Sequence, residues 1–391
     1  MAPAAKPLSK EELTSKVKEF ALISGACVVG ITTRETLAGG PPSTDLSYVL
    51  EGARSAVTFG VPLNQDKILD FLGKVDRAGH QKDYCLASTI ATGIAAEMAN
   101  FVKHFGHAAV AVLANQVYRN EAPGTRRQPD LSHRYLAVRG GIGWFGFSGN
   151  VLTPSHGPNV QFATMVTDAG LEPTEPLPEQ DNYCDDCQAC NAACPSGFFR
   201  NGKTDKVTIT MGGVDFTYSQ RRRYDRCTYV CGGKTGLHQS GRWSTWSPAR
   251  FPIPKTDEDE DLLPVLTEGE LAWRARPELP GGGLQSPGQY GLAKRDIPLT
   301  CGNCALVCHP DREERDRRLK LLHSSGVVIQ NEDGRVEAVS PKKAKAHIAA
   351  MEPGRRALYE TPTPEKYDPK KYWGHKHHSQ YGLAKTPGKK G

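Results

Sequence analysis

The stretch Cys184-Asp-Asp-Cys187-Gln-Ala-Cys190-Asn-Ala-Ala-Cys194-Pro195 decides how the second half of this chain folds. Three cysteines at two-residue spacing, a fourth after three more residues and a proline behind it form the pattern that ligates 4Fe–4S clusters. In that pattern the first three thiolates hold one cluster and the fourth reaches a second cluster. The stretch therefore predicts a module with two clusters.

A second run, Cys301-Gly-Asn-Cys304-Ala-Leu-Val-Cys308-His309-Pro310, looks like the same motif without its first cysteine, because Pro298 stands at that position. Two clusters need eight thiolates, and the two runs supply seven. An arginine-rich stretch between the runs carries Cys227 and Cys231, and we prefer Cys227 as the eighth ligand. The predicted ligand sets are Cys184, Cys187, Cys190 and Cys308 for one cluster, and Cys194, Cys227, Cys301 and Cys304 for the other.

Two other uses of cysteine compete with this interpretation. A structural zinc site takes two close cysteines from each of two knuckles, and it needs neither a third cysteine at the same spacing nor a proline behind the fourth. Disulfides fit poorly, because the chain has an odd count of 11 cysteines and residues 1–10 contain no hydrophobic secretory segment. Clusters remain the preferred reading.

Length and charge set broad limits. A chain of 391 residues predicts two or three domains, which we place at 1–175, 176–320 and 321–391. The net charge is +6, and the lysine-rich segment 366–391 has no basic–aromatic groove pattern, so we expect a solvated tail and no nucleic-acid partner. No apolar run approaches the ~18 residues of a membrane span. We therefore expect a cytoplasmic protein.

Short apolar runs alternate with helical patterns in the first half of the chain. Residues 10–24 and 85–105 predict helices, and the strand candidates are residues 27–31, 56–61, 108–113 and 160–167. This alternation predicts an α/β layer. Residues 169–181 predict a linker, the segment from 257 to 291 a long loop that faces a partner, residues 313–350 charged helix, and 352–391 extended chain.

A segment dense in glycine, Gly140-Gly-Ile-Gly-Trp-Phe-Gly-Phe-Ser-Gly-Asn150, follows the first half. Glycines remove Cβ atoms where the backbone must approach something flat or charged. The spacing of Gly141, Gly143 and Gly146 matches a dinucleotide fingerprint, but residues 134–139 predict a helix where that fingerprint needs a strand. A turn-rich entry to a hairpin is the ordinary structural alternative.

Taken together, these motifs resemble the cobalamin-dependent reductive dehalogenases and, more distantly, the epoxyqueuosine reductases. The resemblance covers residues 12–312 and rests on the segment 134–146, on residues 148–159, on Thr167-Asp168 and on the two cysteine runs. The wording Leu152-Thr-Pro-Ser-His-Gly-Pro158 favours the dehalogenase branch. The resemblance implies a nitroreductase-like α/β (α+β) core followed by a ferredoxin-like module with two 4Fe–4S clusters.

The resemblance also implies a corrinoid, cobalamin, held base-off between the core and the cluster module. No histidine in the chain lies in an Asp-x-His-x-x-Gly segment that would supply a lower cobalt ligand. Backbone N–H groups of glycine-rich loops suit amide and phosphate groups of such a cofactor. The predicted corrinoid-binding residues are Gly141, Gly143, Trp144, Phe145, Gly146, Ser148, Gly149, Asn150, Leu152, Thr153, His156 and Gly157.

A proton donor is needed beside the corrinoid, and in the dehalogenases it is a tyrosine next to a cation, whose charge eases proton transfer. The candidates here are Tyr135 and His133 around Arg134, and Tyr118 beside Arg119. In the epoxyqueuosine reductases the acid is a carboxylate directly before the arginine, so His133 is a departure that counts against that activity. Five aromatic residues are candidates for a pocket wall or for core: Trp144, Phe145, Phe147, Trp243 and Trp246.

Three functions follow as hypotheses. The preferred one is reductive dehalogenation of an organohalide, with electrons relayed from an external ferredoxin or flavodoxin through two clusters to cobalt. The alternative is an epoxyqueuosine-reductase-like cobalamin enzyme acting on a tRNA nucleoside; against it, the chain lacks that family's lysine after the Gly-Trp-x-Gly loop and its C-terminal helical repeats. A plain electron carrier is the third, and it would not need the glycine-dense segment.

Overall fold

The computed structural model describes residues 8–114, 129–199, 205–276 and 300–360. The strands in chain order are β1 Val28–Thr33, β2 Ser55–Pro62, β3 Ala109–Val112, β4 Trp144–Phe145, β5 Val151–Leu152, β6 Val160–Thr167, β7 Lys206–Met211, β8 Val214–Ser219, β9 Val327–Gln330 and β10 Val336–Val339. The α-helices are α1 Lys10–Ile23, α2 Gln65–Leu72, α3 Arg77–His104, α4 His133–Arg139, α5 Ala189–Ala192, α6 Tyr224–Cys231, α7 Asp259–Ala275, α8 Asn303–Leu306, α9 Arg312–Ser324, α10 Pro341–Ala349 and α11 Pro353–Arg356.

The main sheet has four strands in the order β1-β2-β6-β3. Every neighbouring pair in it is antiparallel. The predicted strands and helices of the first half are therefore present, but the layer is an α+β arrangement and not the parallel sheet that alternation of strands and helices usually indicates. The mixed α and β character of the chain is confirmed.

Helices cover both faces of this sheet. Along β2, Val57 and Phe59 face a core shared with α1, α2 and α3, whereas Ala56 faces a second core that includes α4. This alternation follows from the period of two residues in a strand. Because α4 packs on the second face, it brings the glycine-dense segment that follows it to the edge of the core.

Helix α3 has the length and the mean hydropathy of a membrane span, by composition only. Its buried residues, among them Ala91, Ala95 and Met98, belong to the same core as α1 and β2. A core helix buried in this way passes the same composition test as a membrane span.

Each cysteine run has one cysteine on a short helix. Helix α5 carries Cys190 and α8 carries Cys304, and the two helices pack against each other. Ala189 and Leu306 from these helices belong to the same core as α3. The cysteine-bearing part of the chain is therefore built onto the first domain through a continuous apolar core.

The region between the cysteine runs is more regular than predicted. Strands β7 and β8 form a hairpin over residues 206–219, and α7 occupies residues 259–275, where we expected a loop that faces a partner. The acidic residues before and at the start of α7 are paired with arginines: Asp257 accepts from Arg226 and Arg222, and Asp259 accepts from Arg223. The expectation of a loop is therefore wrong for residues 259–275, and the expectation that the segment faces a partner stays a prediction.

The C-terminal part also departs from the prediction. Between helices α9 and α10, residues 327–339 form the hairpin β9–β10 and not a continuous charged helix. Residues 327–330 are all buried, which a short apolar strand achieves and an exposed charged helix does not. A one-turn helix covers residues 353–356, and the segment 361–391 lies outside the described residues.

Candidate functional site: two groups of thiols beside a glycine-dense segment

Four cysteines gather around α5 and the end of the second run, and we call them the Cys184 group. Cys190 interacts electrostatically with Cys308, Cys184 and Cys187, and Cys308 interacts with Cys184 and Cys187. These four residues are Cys184, Cys187, Cys190 and Cys308. The structure thus brings together the first predicted ligand set, including its member from the distant second run.

Five cysteines form a neighbouring set, the Cys301 group: Cys194, Cys227, Cys231, Cys301 and Cys304. Cys304 interacts electrostatically with Cys194, Cys227 and Cys301. Cys231 forms side-chain hydrogen bonds with Cys227, at 3.5 Å between sulfurs, and with Cys301. The group contains all four residues of the second predicted set together with Cys231.

Burial makes most of these thiols hard to ionise. It raises the pKa of Cys194 to about 11 and that of Cys308 to about 12, and it raises the pKa values of Cys190 and Cys304 as well. A hydrogen bond from Cys231 acts in the opposite direction and lowers the pKa of Cys301 to about 7. Buried thiols of this kind become thiolates when a metal cation replaces the proton. The donor set and its burial therefore fit a metal–sulfur centre.

The spacing of the thiols bears on which centre this is. A tetrahedral zinc ion needs thiolate sulfurs about 3.8 Å from one another. Among the described residues, no three His, Cys, Asp or Glu side chains are placed to hold a single metal ion. The described thiols of neither group are thus arranged as a site for one zinc ion.

The glycine-dense segment lies directly against both thiol groups. The backbone N–H of Phe147 donates to Cys184 Sγ at 3.2 Å. The Phe147 side chain packs with Cys190 and Phe198, and next to Cys304. Further along, Asn159 Nδ2 donates to the carbonyl oxygen of Cys308 at 3.0 Å. The segment therefore joins the first domain to the cysteine-bearing part.

Three of its glycines are required by packing within the chain. A Cβ atom on Gly143 would overlap the backbone of Leu152, and one on Gly146 would lie 2.8 Å from the Leu152 side chain. Gly141 has φ +72° and faces the backbone of Glu175. At these positions the absence of a Cβ is explained by contacts within the protein, so their placement against a corrinoid stays a prediction.

Other predicted corrinoid-binding residues of the segment are buried and held by protein contacts. Trp144 donates from Nε1 to the carbonyl oxygen of Pro178 at 2.9 Å. The carbonyl oxygens of Gly149 and Ser148 accept hydrogen bonds from Arg134 and Arg221, respectively. Asn150 Nδ2 and Asn159 Oδ1 are buried without a hydrogen-bond partner among the described residues. Such orphaned polar atoms need a partner, since leaving one buried and unpaired costs about 1–3 kcal/mol.

The motif from Leu152 to Pro158 folds into a closed turn. Thr153 and Gly157 exchange backbone hydrogen bonds of 3.0 and 3.1 Å, and Thr153 Oγ1 donates to the carbonyl oxygen of Gly157 at 2.8 Å. Gly157 has φ +58°, and His156 bonds Ser155 at 2.8 Å. The threonine and the glycine are therefore explained by the geometry of the turn, which is why this motif does not identify a substrate.

Two arginines and two tyrosines form a cluster beside the segment, the Arg–Tyr cluster: Arg134, Tyr135, Tyr218 and Arg221. The hydroxyls of Tyr135 and Tyr218 lie 3.1 Å apart, and the Arg134 guanidinium lies 4.9 Å from the centre of each ring. Arg134 donates to the carbonyl oxygen of Gly149, and Arg221 Nε donates to that of Ser148, both at 2.8 Å.

Charge and burial set the protonation of this cluster. Burial raises the pKa of Tyr135, and Arg134 acts against that rise, so the phenol keeps its proton at neutral pH. Burial, followed by repulsion from Arg134, lowers the pKa of Arg221 to about 10, and Cys304 and Cys227 oppose this shift. Arg221 therefore stays charged and lies between Tyr218 and the Cys301 group.

His133 is held by protein on both ring nitrogens. Nε2 lies 2.8 Å from the carbonyl oxygen of Leu113, so it carries the proton, and Nδ1 accepts from Thr164 Oγ1 at 2.7 Å. Burial lowers the pKa of His133 to about 4. A neutral histidine with both nitrogens bonded to protein orients α4 against β6, and this geometry argues against the proton-donor role for it.

The neutral state of His133 gives a testable pH dependence. The pKa is depressed from 6.5 to about 4 on folding, so its contribution to stability is complete above pH 6.5 and is lost as the pH falls toward 4. We expect the urea concentration at the unfolding midpoint to decrease when the pH is lowered from 7 to 4.5. We expect this decrease to be smaller in His133→Asn. His80 also has a lowered pKa, so the slope is reduced and not abolished. An identical pH slope in both proteins would contradict this role.

The other predicted residues lie either outside the described residues or in the core. Tyr118 and Arg119 lie outside the described residues. Trp243 and Trp246 are buried core residues, and the Trp243 ring stacks with those of His238 and His323, so neither tryptophan lines an open apolar pocket. Tyr218 and Arg221 were not predicted, although a period-two pattern around the loop Gly212-Gly213 marks their hairpin in the sequence.

Comparison with known proteins identifies relatives for part of the chain. No protein-family model matches it. The epoxyqueuosine reductase of Bacillus anthracis is 31% identical over 151 residues, covering 35% of this chain and 36% of that protein. That of Listeria monocytogenes is 32% identical over 114 residues, covering 26% and 29%. The curated relatives are epoxyqueuosine reductases. The matched stretch spans about a third of their length.

Solved structures of two kinds of enzyme are similar to the chain. An epoxyqueuosine reductase with an epoxyqueuosine-modified tRNA-Tyr stem loop is 18% identical, covering 59% of this chain and 60% of that one, at a TM-score of 0.38. A reductive dehalogenase, described with B12-dependent dehalogenation, is 18% identical, covering 59% and 30%, at a TM-score of 0.44. Both TM-scores lie below 0.5, so neither structure decides between the two activities.

The curated relatives correct two predictions. The prediction of a reductive dehalogenase acting on an organohalide is wrong, because the named relatives are epoxyqueuosine reductases. The prediction of no nucleic-acid partner is wrong with it, because the named relatives are epoxyqueuosine reductases and not enzymes of small organohalides. The broader statement that the related proteins are reductases is confirmed.

Proposed function

We propose that this chain is a reductase of the epoxyqueuosine-reductase type, acting on a modified nucleoside in tRNA with the help of iron–sulfur clusters and cobalamin. The observation that carries the proposal is the 31% identity over 151 residues to the epoxyqueuosine reductase of Bacillus anthracis. The two groups of buried thiols beside the glycine-dense segment support it independently.

Each thiol group is proposed to hold one 4Fe–4S cluster. The Cys184 group supplies four thiols. In the Cys301 group, Cys227 interacts with both Cys194 and Cys304, whereas the main partners of Cys231 are Cys227 and Cys301. Cys227 is therefore the more central thiol and the proposed eighth ligand. Two clusters in series pass electrons one at a time, which suits a reaction that consumes two.

The segment from 141 to 157 is proposed to hold cobalamin. The support from this chain is the pair of buried, unpaired side-chain atoms Asn150 Nδ2 and Asn159 Oδ1, which can meet the amide groups of a corrinoid. When bound, cobalamin supplies a strongly reducing metal centre for the carbon–oxygen bond. The protein's own task is to place the nucleoside there and to provide protons.

Reduction of an epoxide consumes two electrons and two protons. Tyr135 is the proposed proton donor, because it keeps its proton at neutral pH and lies against the Arg134 cation, which stabilises the phenolate left behind. Tyr218 lies 3.1 Å away and can return a proton to Tyr135 through the hydroxyl pair. This arrangement replaces the carboxylate that epoxyqueuosine reductases carry at the position of His133.

The proposal is tested with the protein reconstituted anaerobically with iron, sulfide and cobalamin. With a chemical reductant and tRNA that contains epoxyqueuosine, we expect loss of that nucleoside, measured by mass spectrometry of tRNA digests. Tyr135→Phe should lower the rate about 100-fold or more, while Tyr48→Phe, at an exposed position, should match the parent protein.

One outcome would contradict the proposed activity, and another would contradict only the proposed proton donor. If the protein carries both clusters and binds cobalamin but leaves epoxyqueuosine unchanged, the activity is excluded. If Tyr135→Phe turns over at the parent rate, the activity stands and the assignment of the proton donor falls.

A further inference from the structure

Lys74 has a backbone conformation that lysine rarely adopts. It follows Gly73, the residue that ends α2, and its φ is +60°. For a residue with a Cβ, this left-handed conformation costs about 1–2 kcal/mol. The cost is sustained because the chain reverses here and Val75 N–H bonds the carbonyl oxygen of Asp70 at 2.8 Å. The reversal directs the Lys74 side chain back into the protein.

The ammonium of Lys74 is enclosed without a hydrogen-bond partner among the described residues. It lies 5.7 Å from the centre of the Trp246 ring and interacts electrostatically with Cys301. Trp246 is itself fixed, because its Nε1 donates to the carbonyl oxygen of Phe71 at 3.0 Å. Helix α2, which ends just before Lys74, thus also fixes the Trp246 ring beside the Lys74 ammonium.

Burial disfavours an ammonium that has no hydrogen bond, and it lowers the pKa of Lys74 to about 7, a shift that the Cys301 thiol opposes. The Trp246 ring beside the ammonium is tied to the same thiol group, because the Trp246 backbone N–H donates to the carbonyl oxygen of Thr300 at 2.9 Å, next to Cys301. A negatively charged centre at the Cys301 group would therefore keep Lys74 charged. Lys67, on the same helix, shows the ordinary alternative: it is 42% exposed and pairs with Asp70 at 3.6 Å.

We propose that Lys74 sets the reduction potential of the cluster held by the Cys301 group, by placing a positive charge beside a centre that becomes more negative on reduction. The proposal rests on the presence of clusters in the proposed function. The proposal concerns the cluster of the Cys301 group and not that of the Cys184 group, because Lys74 interacts electrostatically with Cys301.

The sign of the effect follows from charge. One electron added to a thiolate-bound cluster increases its negative charge, so a fixed neighbouring cation stabilises the reduced form and raises the potential. Removing the cation lowers the potential. The reduced fraction at a fixed ambient potential then falls, while the oxidised cluster and its iron remain.

The experiment compares Lys74→Met, Lys74→Arg and Lys67→Met in the reconstituted full chain. Iron content is measured first, and the two clusters are then titrated with a redox mediator and followed by electron paramagnetic resonance. At the midpoint of the parent cluster, Lys74→Met should have a reduced-to-oxidised ratio at least tenfold lower, which is ~59 mV for a one-electron couple. Only one of the two cluster signals should shift. Lys74→Arg and Lys67→Met should titrate like the parent.

Lys74→Gly guards against a folding artefact. Glycine accepts φ +60° without strain, so this variant removes the charge while relieving the backbone. It should reproduce the shift of Lys74→Met. Iron near the parent value with unshifted signals in both neutral variants overturns the proposal for Lys74, whereas a parent protein that takes up no iron overturns the cluster assignment on which it rests.

Discussion

Replacing Cys227 with serine should remove one of the two proposed clusters, whereas replacing Cys231 should leave both. We expect the Cys227→Ser protein to retain about half of the roughly eight irons that two 4Fe–4S clusters contain. The reason is geometric. Cys227 interacts with Cys194 and Cys304, whereas the Cys231 sulfur lies 3.5 Å from the Cys227 sulfur and bonds Cys301.

Iron analysis and electron paramagnetic resonance of the anaerobically reconstituted proteins measure this difference. Reductase activity should be lost in Cys227→Ser, because electrons no longer pass through both centres. Cys231→Ser is the matched control, one helical turn away on α6. The reverse outcome, with iron lost in Cys231→Ser and retained in Cys227→Ser, would assign the eighth ligand to Cys231.

Replacing Gly30 with alanine should destabilise the protein by about 3 kcal/mol or more, the upper range for an overpacked core. A Cβ atom on Gly30 would overlap the carbonyl oxygen of Gly140 and lie 2.9 Å from its carbonyl carbon. Both partners are backbone, so neither can rotate away. The strain would move the end of α4 and with it the segment that bonds Cys184.

Gly93→Ala is the control for this prediction. Gly93 is exposed within α3, and a Cβ atom there meets nothing within 4 Å. Alanine in an exposed helix interior should stabilise by about 0.5–1 kcal/mol. Urea unfolding of both variants measures the difference. A Gly30→Ala protein as stable as the parent would show that the strand and the glycine-dense segment are not in the close contact described here.

Strands and helices were predictable where an apolar run was long enough. Residues 160–167 form a mostly apolar run of strand length and 85–105 hold a long apolar helix, so β6 and most of α3 follow from pattern. The hairpin at 327–339 was missed because its buried strand is only four residues long and lies between charged helices. Its end was marked in the sequence, since Ser340 caps α10 and Pro341 begins it.

The cysteines of the site could be predicted from the sequence, whereas several residues around them could not. Cysteine spacing predicted which thiols gather, because ligand geometry constrains that spacing. Tyr218 and Arg221 come from a hairpin inserted between two ligands, and their position depends on packing against Phe145 and Ser148. The motif around Thr153 suggested a dehalogenase, yet the same residues satisfy a turn. A residue pattern that the geometry of a turn requires does not indicate which substrate the protein binds.

The exchange of one cysteine between the two runs has a consequence for biosynthesis. Cys308 lies with the Cys184 group, and Cys194 lies with Cys301 and Cys304. A nascent chain that has emerged from the ribosome only as far as residue 299 therefore presents both groups incomplete. If each group holds a cluster as proposed, neither ligand set is complete until the last run has been translated.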